Sequence, residues 1–219
     1  MRNTALKTTM FTMFAAACVL NTGCRTTQSP KFYALQPVQS ANESITNVDP
    51  YKQGVIDLGP IIMPEHLGKS QIAVVGEGPE IYYSDLNRWS SSLDENFLNV
   101  LTQNVRSMLP EFWIAKFQSL NDAKSDYSVG IHITKFDGTP GSSATLNVQW
   151  AVFSDNRKKV CRMRSETFRK NVPAKTYASL VETQSQLLAE LSKCIVADIQ
   201  AVKKENPVPV EKSKEEAGK

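Results

Sequence analysis

The chain has 219 residues, 25 Lys and Arg against 22 Asp and Glu, and a formal charge of +3. This near balance excludes nucleic acid as the main partner, since phosphate binding needs a concentrated basic surface. The apolar content of 41% suffices for one core of about 150 residues plus tails.

The N-terminus carries Arg2 and Lys7, no acid before Glu43, and the apolar run "TTMFTMFAAACVL". This is the pattern of a signal peptide, and the run is short of the ~20 residues a permanent span requires. Thr22, Gly23 and Cys24 fit the bacterial lipoprotein pathway, in which the chain is cut before a cysteine whose thiol carries diacylglycerol. Residues 1–23 are therefore read as a lipoprotein signal peptide and Cys24 as the lipidation site. Asn21 stands where a leucine-like residue is usual. Cys18, after Ala15, Ala16 and Ala17, is the rival site, and an ordinary buried Cys24 is the bland alternative. Loss of Arg2 and Lys7 leaves the mature chain almost neutral.

Residues 24–31 form a polar tether, and the domain extends over 32–203. "KFYALQPV" starts it with a strand through Phe32, Tyr33 and Leu35. Residues 38–52 form a loop. A strand follows at Val55 to Ile62, then a short helical turn begun by Pro64, whose missing amide proton is not needed there. Strands at Ile72–Val75 and Ile81–Tyr83 flank the "GEGPE" turn. That turn is no phosphate loop, because Pro79 removes a donor and two glutamates repel an anion.

Ser92 and Glu95 have the spacing of a capping box. After them Leu93, Phe97, Leu98, Leu101, Val105, Met108 and Leu109 recur at helical steps, and Pro110 ends the helix. "FWIAKF" is a strand that this helix can place parallel to an earlier one. Tyr127, Val129, Ile131 and Ile133, then Leu146, Val148, Trp150 and Val152, alternate as half-buried antiparallel strands around "DGTPGSS". A third strand runs from Val160 to Phe168, with Cys161 and Met163 on its apolar face and Arg162, Arg164 and Glu166 on its solvent face. The basic run "RKKVCRMRSETFRK" is accordingly a solvated strand face. A long helix from Tyr177 to Val202 carries an apolar stripe that includes Leu180, Leu187, Leu191, Cys194 and Ile199. Residues 204–219 are charged, interrupted by proline and expected to be disordered. The fold class is α/β, an α+β sandwich: about seven strands in a mostly antiparallel sheet, with two amphipathic helices packed on one face.

Cys161 and Cys194 form a possible disulfide, an even pair in an exported chain. If helix and sheet faces meet, the bridge closes a loop of about 30 residues and contributes about 2–4 kcal/mol. The alternative is two buried thiols. His66 and His132 have no neighbouring third ligand, so no metal is expected. No phosphate loop, "GxSxG" elbow or "HExxH" helix is present. The chain reads as a non-enzyme without a cofactor. Trp89 and Trp113 are expected to be buried.

The order of elements resembles the ABC-type transport auxiliary lipoproteins of the PqiC/YmbA-like, paraquat-inducible family. The resemblance covers residues 24 to about 203. It rests on "FYAL", "GVIDLGPIIMPEHL", "NRWSSSLDENF" with Trp89 and Leu93, "YSVGIHITKF", "ATLNVQWAVF" and the C-terminal helix. It implies a non-catalytic lipoprotein, acylated with fatty chains such as palmitate, that serves an intermembrane lipid transport system. Its implied partners are an MCE-domain protein and further copies of itself in a ring. Arg25 after Cys24, instead of aspartate, favours the periplasmic face of the outer membrane, with the inner membrane as the alternative. The competing function is an outer-membrane assembly or envelope-integrity lipoprotein that binds a barrel protein or peptidoglycan.

Overall fold

The structure, a computed structural model, describes residues 28–37, 54–76, 80–117, 124–154 and 156–205. Residues 1–23 (read as a signal peptide, with Cys18), Cys24, residues 38–52 (read as a loop), the tip of "GEGPE" and residues 206–219 lie outside the described residues.

Eight strands and two α-helices are described: β1 (Lys31–Tyr33), β2 (Val55–Ile62), β3 (Gln71–Val75), β4 (Ile81–Trp89), α1 (Leu93–Met108), β5 (Trp113–Lys116), β6 (Tyr127–Gly138), β7 (Ser143–Ser154), β8 (Lys159–Asn171) and α2 (Tyr177–Glu205). A 3-10 turn, Glu65–Gly68, follows Pro64 as expected. The strands form two sheets, ordered β5-β2-β6-β7-β8 and β1-β4-β3. β2 is parallel to both β5 and β6, and β1 is parallel to β4. The long β6–β7 and β7–β8 ladders make antiparallel pairing dominant. The α+β sandwich therefore holds, with a separate small sheet at one end.

The larger sheet forms because β6 and β7 alternate with period two. Val129, Ile131 and Ile133 on β6 and Leu146, Val148, Trp150 and Val152 on β7 are all buried. α1 and α2 cover that face, as both amphipathic patterns require. Phe97 of α1 meets Phe136 of β6 edge to face, ring centres 5.4 Å apart, and Phe112 meets Tyr127 at 6.2 Å. α1 starts at Ser92 as expected, but the serine hydroxyl makes no capping bond; its carbonyl instead accepts from Asn96 N–H at 3.0 Å.

Two close approaches set the ends of the sheet. Gly59 has φ +110° and precedes Pro60 within β2, and the β2–β6 register shifts between Leu58 and Ile61, where proline offers no ladder donor. At the β6–β7 hairpin, a Cβ on Gly138 would lie 2.8 Å from Ala144 Cα and from Ser143 O, so only glycine fits.

The small sheet is longer than the sequence reading allowed: β4 runs on to Trp89, past the expected end at Tyr83. It is held to the sandwich by polar contacts on both sides. Leu35 N–H donates to Asn96 Oδ1 of α1 at 2.7 Å and Gln36 N–H to Ser185 Oγ of α2 at 3.0 Å. Thr139 Oγ1 donates to Val75 O at 2.7 Å, which joins β3 to the β6–β7 hairpin.

Candidate functional site

Three arrangements of side chains stand out. The first lies between β8 and α2. Trp150 Nε1 donates to Asp198 Oδ2 at 2.9 Å, and Arg162 and Arg164 each place Nη1 3.3 Å from Asp198 Oδ1. Arg164 also pairs with Glu166 and lies 5.2 Å above the Trp150 ring. Arg162 reaches Glu205 at 3.3 Å and Lys170 reaches Glu190 at 2.9 Å. Asp198 is 1% exposed. The buried carboxylate is thus compensated by three donors, which is what its desolvation requires.

This overturns the face assignment read from the sequence. Arg162, Arg164 and Glu166 point at α2, whereas Met163 is 73% exposed. The physical reason is the buried Asp198, which turns the charged side of β8 inward; a register shift between Val152 and Phe153 leaves Cys161 without a cross-strand partner. Cys161 and Cys194 are both partly buried against the core. The two are separate thiols: Cys161 Sγ lies 3.2 Å from Ser154 Oγ, and Cys194 Sγ lies 4.0 Å from Glu166 Oε2. Burial pushes the Cys194 thiol up, and the nearby Glu166 carboxylate adds to this.

The second arrangement is a knot around Arg157, a residue with φ +67° in the β7–β8 turn. Its guanidinium donates to Asp57 Oδ2 at 3.2 Å and to Gly59 O, and lies 4.7 Å from the Phe117 ring centre and 5.7 Å from that of Phe153. Burial raises the Asp57 carboxyl above its ordinary value although Arg157 opposes this. The knot ties the turn to the start of β2.

The third is the small sheet. Tyr33, Tyr83 and Trp89 pack against the core, with Tyr33 OH donating to Asn87 Oδ1 and Tyr83 OH to His66 O. Phe32 stands opposite Arg88 and Tyr82 opposite Val74, and the β3–β4 register shift between Gln71 and Ala73 puts the two pairs on opposite sides of the sheet. Phe32 is 62% exposed and Tyr82 56%. Trp113, on edge strand β5, is 40% exposed, contrary to its expected burial; Trp89 is buried as expected.

None of these arrangements pairs a nucleophile with a base. Among the described residues no three His, Cys, Asp or Glu side chains come together to hold a metal ion. The crevice between the small sheet and the helices, lined by Leu67, Trp89, Leu93, Phe136 and Gln184, has no room for a water molecule. No described helix is long and apolar enough to cross a membrane.

The family described as ABC-type transport auxiliary lipoprotein component matches residues 33–196, which takes in the domain from β1 to α2. The chain belongs to this family. It is an auxiliary lipoprotein of transport, and the family is not one of known enzymes. The chain is also 24% identical over 131 residues to the intermembrane transport lipoprotein PqiC of Escherichia coli K12 and to that of Shigella flexneri. That match covers 58% of this chain and spans 66% of the length of those relatives. The fold recurs in protein XCC0632 of Xanthomonas campestris, with a TM-score of 0.64 at 13% identity over 80% of this chain and 97% of that one. A second crystal structure, of an uncharacterised protein, gives 0.64 at 17% identity over 78% and 99%. These auxiliary-lipoprotein features were legible as a resemblance; the Asp198 cluster and the Arg157 knot were not. The one available signal for the cluster was an aspartate on the apolar stripe of α2.

Proposed function

We propose that this auxiliary lipoprotein is a non-catalytic docking component of an intermembrane lipid transport assembly. It is held by acylated Cys24 on the periplasmic face of the outer membrane, works with an MCE-domain protein, and forms a homo-oligomeric ring. The observation that carries this reading is the family match over residues 33–196, reinforced by the similarity to the intermembrane transport lipoprotein PqiC of E. coli. The architecture suits docking: the charged groups between β8 and α2 are spent on one another, and the interior crevice is closed. A rigid domain of this kind acts through its surface. Arg25 directly after Cys24 favours the outer membrane.

The test is capture of the protein from detergent-solubilised envelopes after cross-linking, with mass spectrometry of what is retained. An MCE-domain protein among the specific partners is expected. Recovery of a barrel protein or peptidoglycan without any MCE-domain protein overturns the reading.

A further inference from the structure

We propose that the free edge of β8 pairs antiparallel with β8 of a second copy of this chain, about a two-fold axis at Ser165, so that the two larger sheets join into one. β8 is the longest described strand, Lys159–Asn171, and it ends the order of its sheet. Val172 N–H donates to Ser142 O at 2.9 Å, in step with the β7–β8 register. Even-numbered residues from Arg162 onwards therefore direct their N–H and C=O groups to β7, and Met163, Ser165, Thr167 and Arg169 direct theirs to the open edge. Unpaired groups of this kind are a template for another strand.

Charged side chains ordinarily keep an edge strand single, and here most of them are engaged on the helix side. Arg162 and Arg164 face Asp198, Arg162 also reaches Glu205, and Lys170 meets Glu190. The open side of the sheet carries Met163, Ser165 and Thr167, all exposed and none charged. Arg169 stands beyond them and donates to Ser143 Oγ on β7 at 3.0 Å.

The charges also choose the register. With the axis at Ser165, Arg164 of each copy stands opposite Glu166 of the other, in the non-hydrogen-bonded pairs where side chains come closest. Each Arg164 already pairs with its own Glu166, so the four groups alternate in sign around a square. Met163 stands opposite Thr167, and Arg162 opposite the Phe168 ring, a favourable cation–aromatic pair. An axis at Arg164 or Glu166 sets that residue opposite itself. An axis at Met163 sets Arg162 opposite Arg164, and one at Thr167 sets Arg164 opposite Lys170. The register shift at Cys161 lies outside the paired stretch from Arg162 to Phe168. Such a contact is isologous and closes as a dimer. It is independent of the ring proposed above, which needs a heterologous contact on another surface.

The experiment uses the full chain, extracted from membranes in mild detergent. In a hydrogen-bonded antiparallel pair the two Cα atoms lie about 5.5 Å apart, within reach of a disulfide. Gln149, opposite Ser165 on β7, would face its counterpart across three strand spacings, about 14 Å, which a disulfide cannot bridge. Under mild oxidation Ser165→Cys should form at least about fivefold more disulfide-linked dimer than Gln149→Cys or wild type, with mass spectrometry placing the bridge at position 165 of both chains. The side chain of Ser165 is exposed, so Ser165→Lys leaves the fold intact while setting like charges opposite each other. It should lower the protein mass read by light scattering about twofold, with Tm unchanged. A Ser165→Cys dimer no more abundant than in the two controls overturns the pairing, as does a Ser165→Lys protein of wild-type mass.

Discussion

Trp150 on β7 and Asp198 on α2 meet at 2.9 Å, indole N–H to carboxylate, with the carboxylate 1% exposed and two arginines of β8 on its other oxygen. A single buried charge so joins three elements: β7, the edge strand β8 and the long helix. It also explains why the edge strand is basic. Arg162 and Arg164 are each about a third exposed at the side chain, whereas Asp198 is buried, so their ion pairs chiefly offset the cost of burying its charge. The Trp150 indole is itself buried and cannot turn to solvent.

Asp198→Ala should therefore cost about 2 kcal/mol, chiefly from leaving the Trp150 N–H unpartnered, and lower Tm by roughly 4–8 °C. Asp198→Asn keeps an acceptor for the indole and should cost less than half as much. Thermal unfolding of the two variants checks this. Equal losses would mean that the charge, and not the indole bond, holds α2 down.

The hairpin gives a steric counterpart. Gly138 has Ala144 Cα and Ser143 O within 2.8 Å of where a Cβ would stand, and both are backbone atoms that cannot swing aside. Gly138→Ala should destabilise the domain by about 1–3 kcal/mol, read as a shift of the denaturant midpoint. Gly68→Ala meets nothing within 4 Å and should leave the midpoint nearly unchanged. A Gly138→Ala midpoint matching wild type would sink the close-approach argument.

The same elements show what a sequence reading reaches. β6, β7, α1 and α2 were legible because each buries one apolar face against a neighbour, and that need imposes a period of two or 3.6 on the chain. The small sheet was not, because β1 and β4 pair across more than 50 residues and nothing local specifies such a register. β8 was read inside out: alternate arginines look like a solvent face unless the carboxylate opposite is known to be buried. Trp113 was misplaced for a related reason, since an edge strand exposes a face that its composition would hide.

The two thiols are separate: Cys161 contacts Ser154 Oγ and Cys194 contacts Glu166 Oε2. Intact mass of the mature protein should be unchanged by reductant, and a mass gain on reduction would restore the bridge. Alkylation adds a second check. Because burial raises the Cys194 pKa, its thiolate forms only at higher pH than an ordinary thiol's, and its labelling rate should rise later as pH increases.

Asp137 makes stability depend on pH in a stated direction. Burial raises its carboxyl above 3.8, with Lys135 at 3.6 Å and the more distant His66 opposing the shift. The folded chain thus holds this proton more tightly than the unfolded one. The stabilisation is full below pH 3.8 and is lost as pH rises through the raised folded value. Asp137→Asn carries no charge at any pH. Its Tm should exceed that of wild type at pH 7, with the gap closing as pH falls towards the ordinary carboxylate range. A variant less stable than wild type at pH 7 would show that the Lys135 ion pair outweighs the burial penalty.

The anchor and the fold should be separable. β1 is held by Tyr33 to Asn87 and, just beyond it, by Leu35 to Asn96 and Gln36 to Ser185, all within residues that follow Cys24. None of these bonds needs a lipid. Acyl chains contribute about 0.8 kcal/mol per buried CH₂, so their loss should abolish attachment. Cys24→Ser should therefore move the protein from the membrane fraction to the soluble fraction, with its thermal midpoint unchanged. Retention of the variant in the membrane fraction would refute Cys24 as the anchor and make Cys18 the next position to substitute.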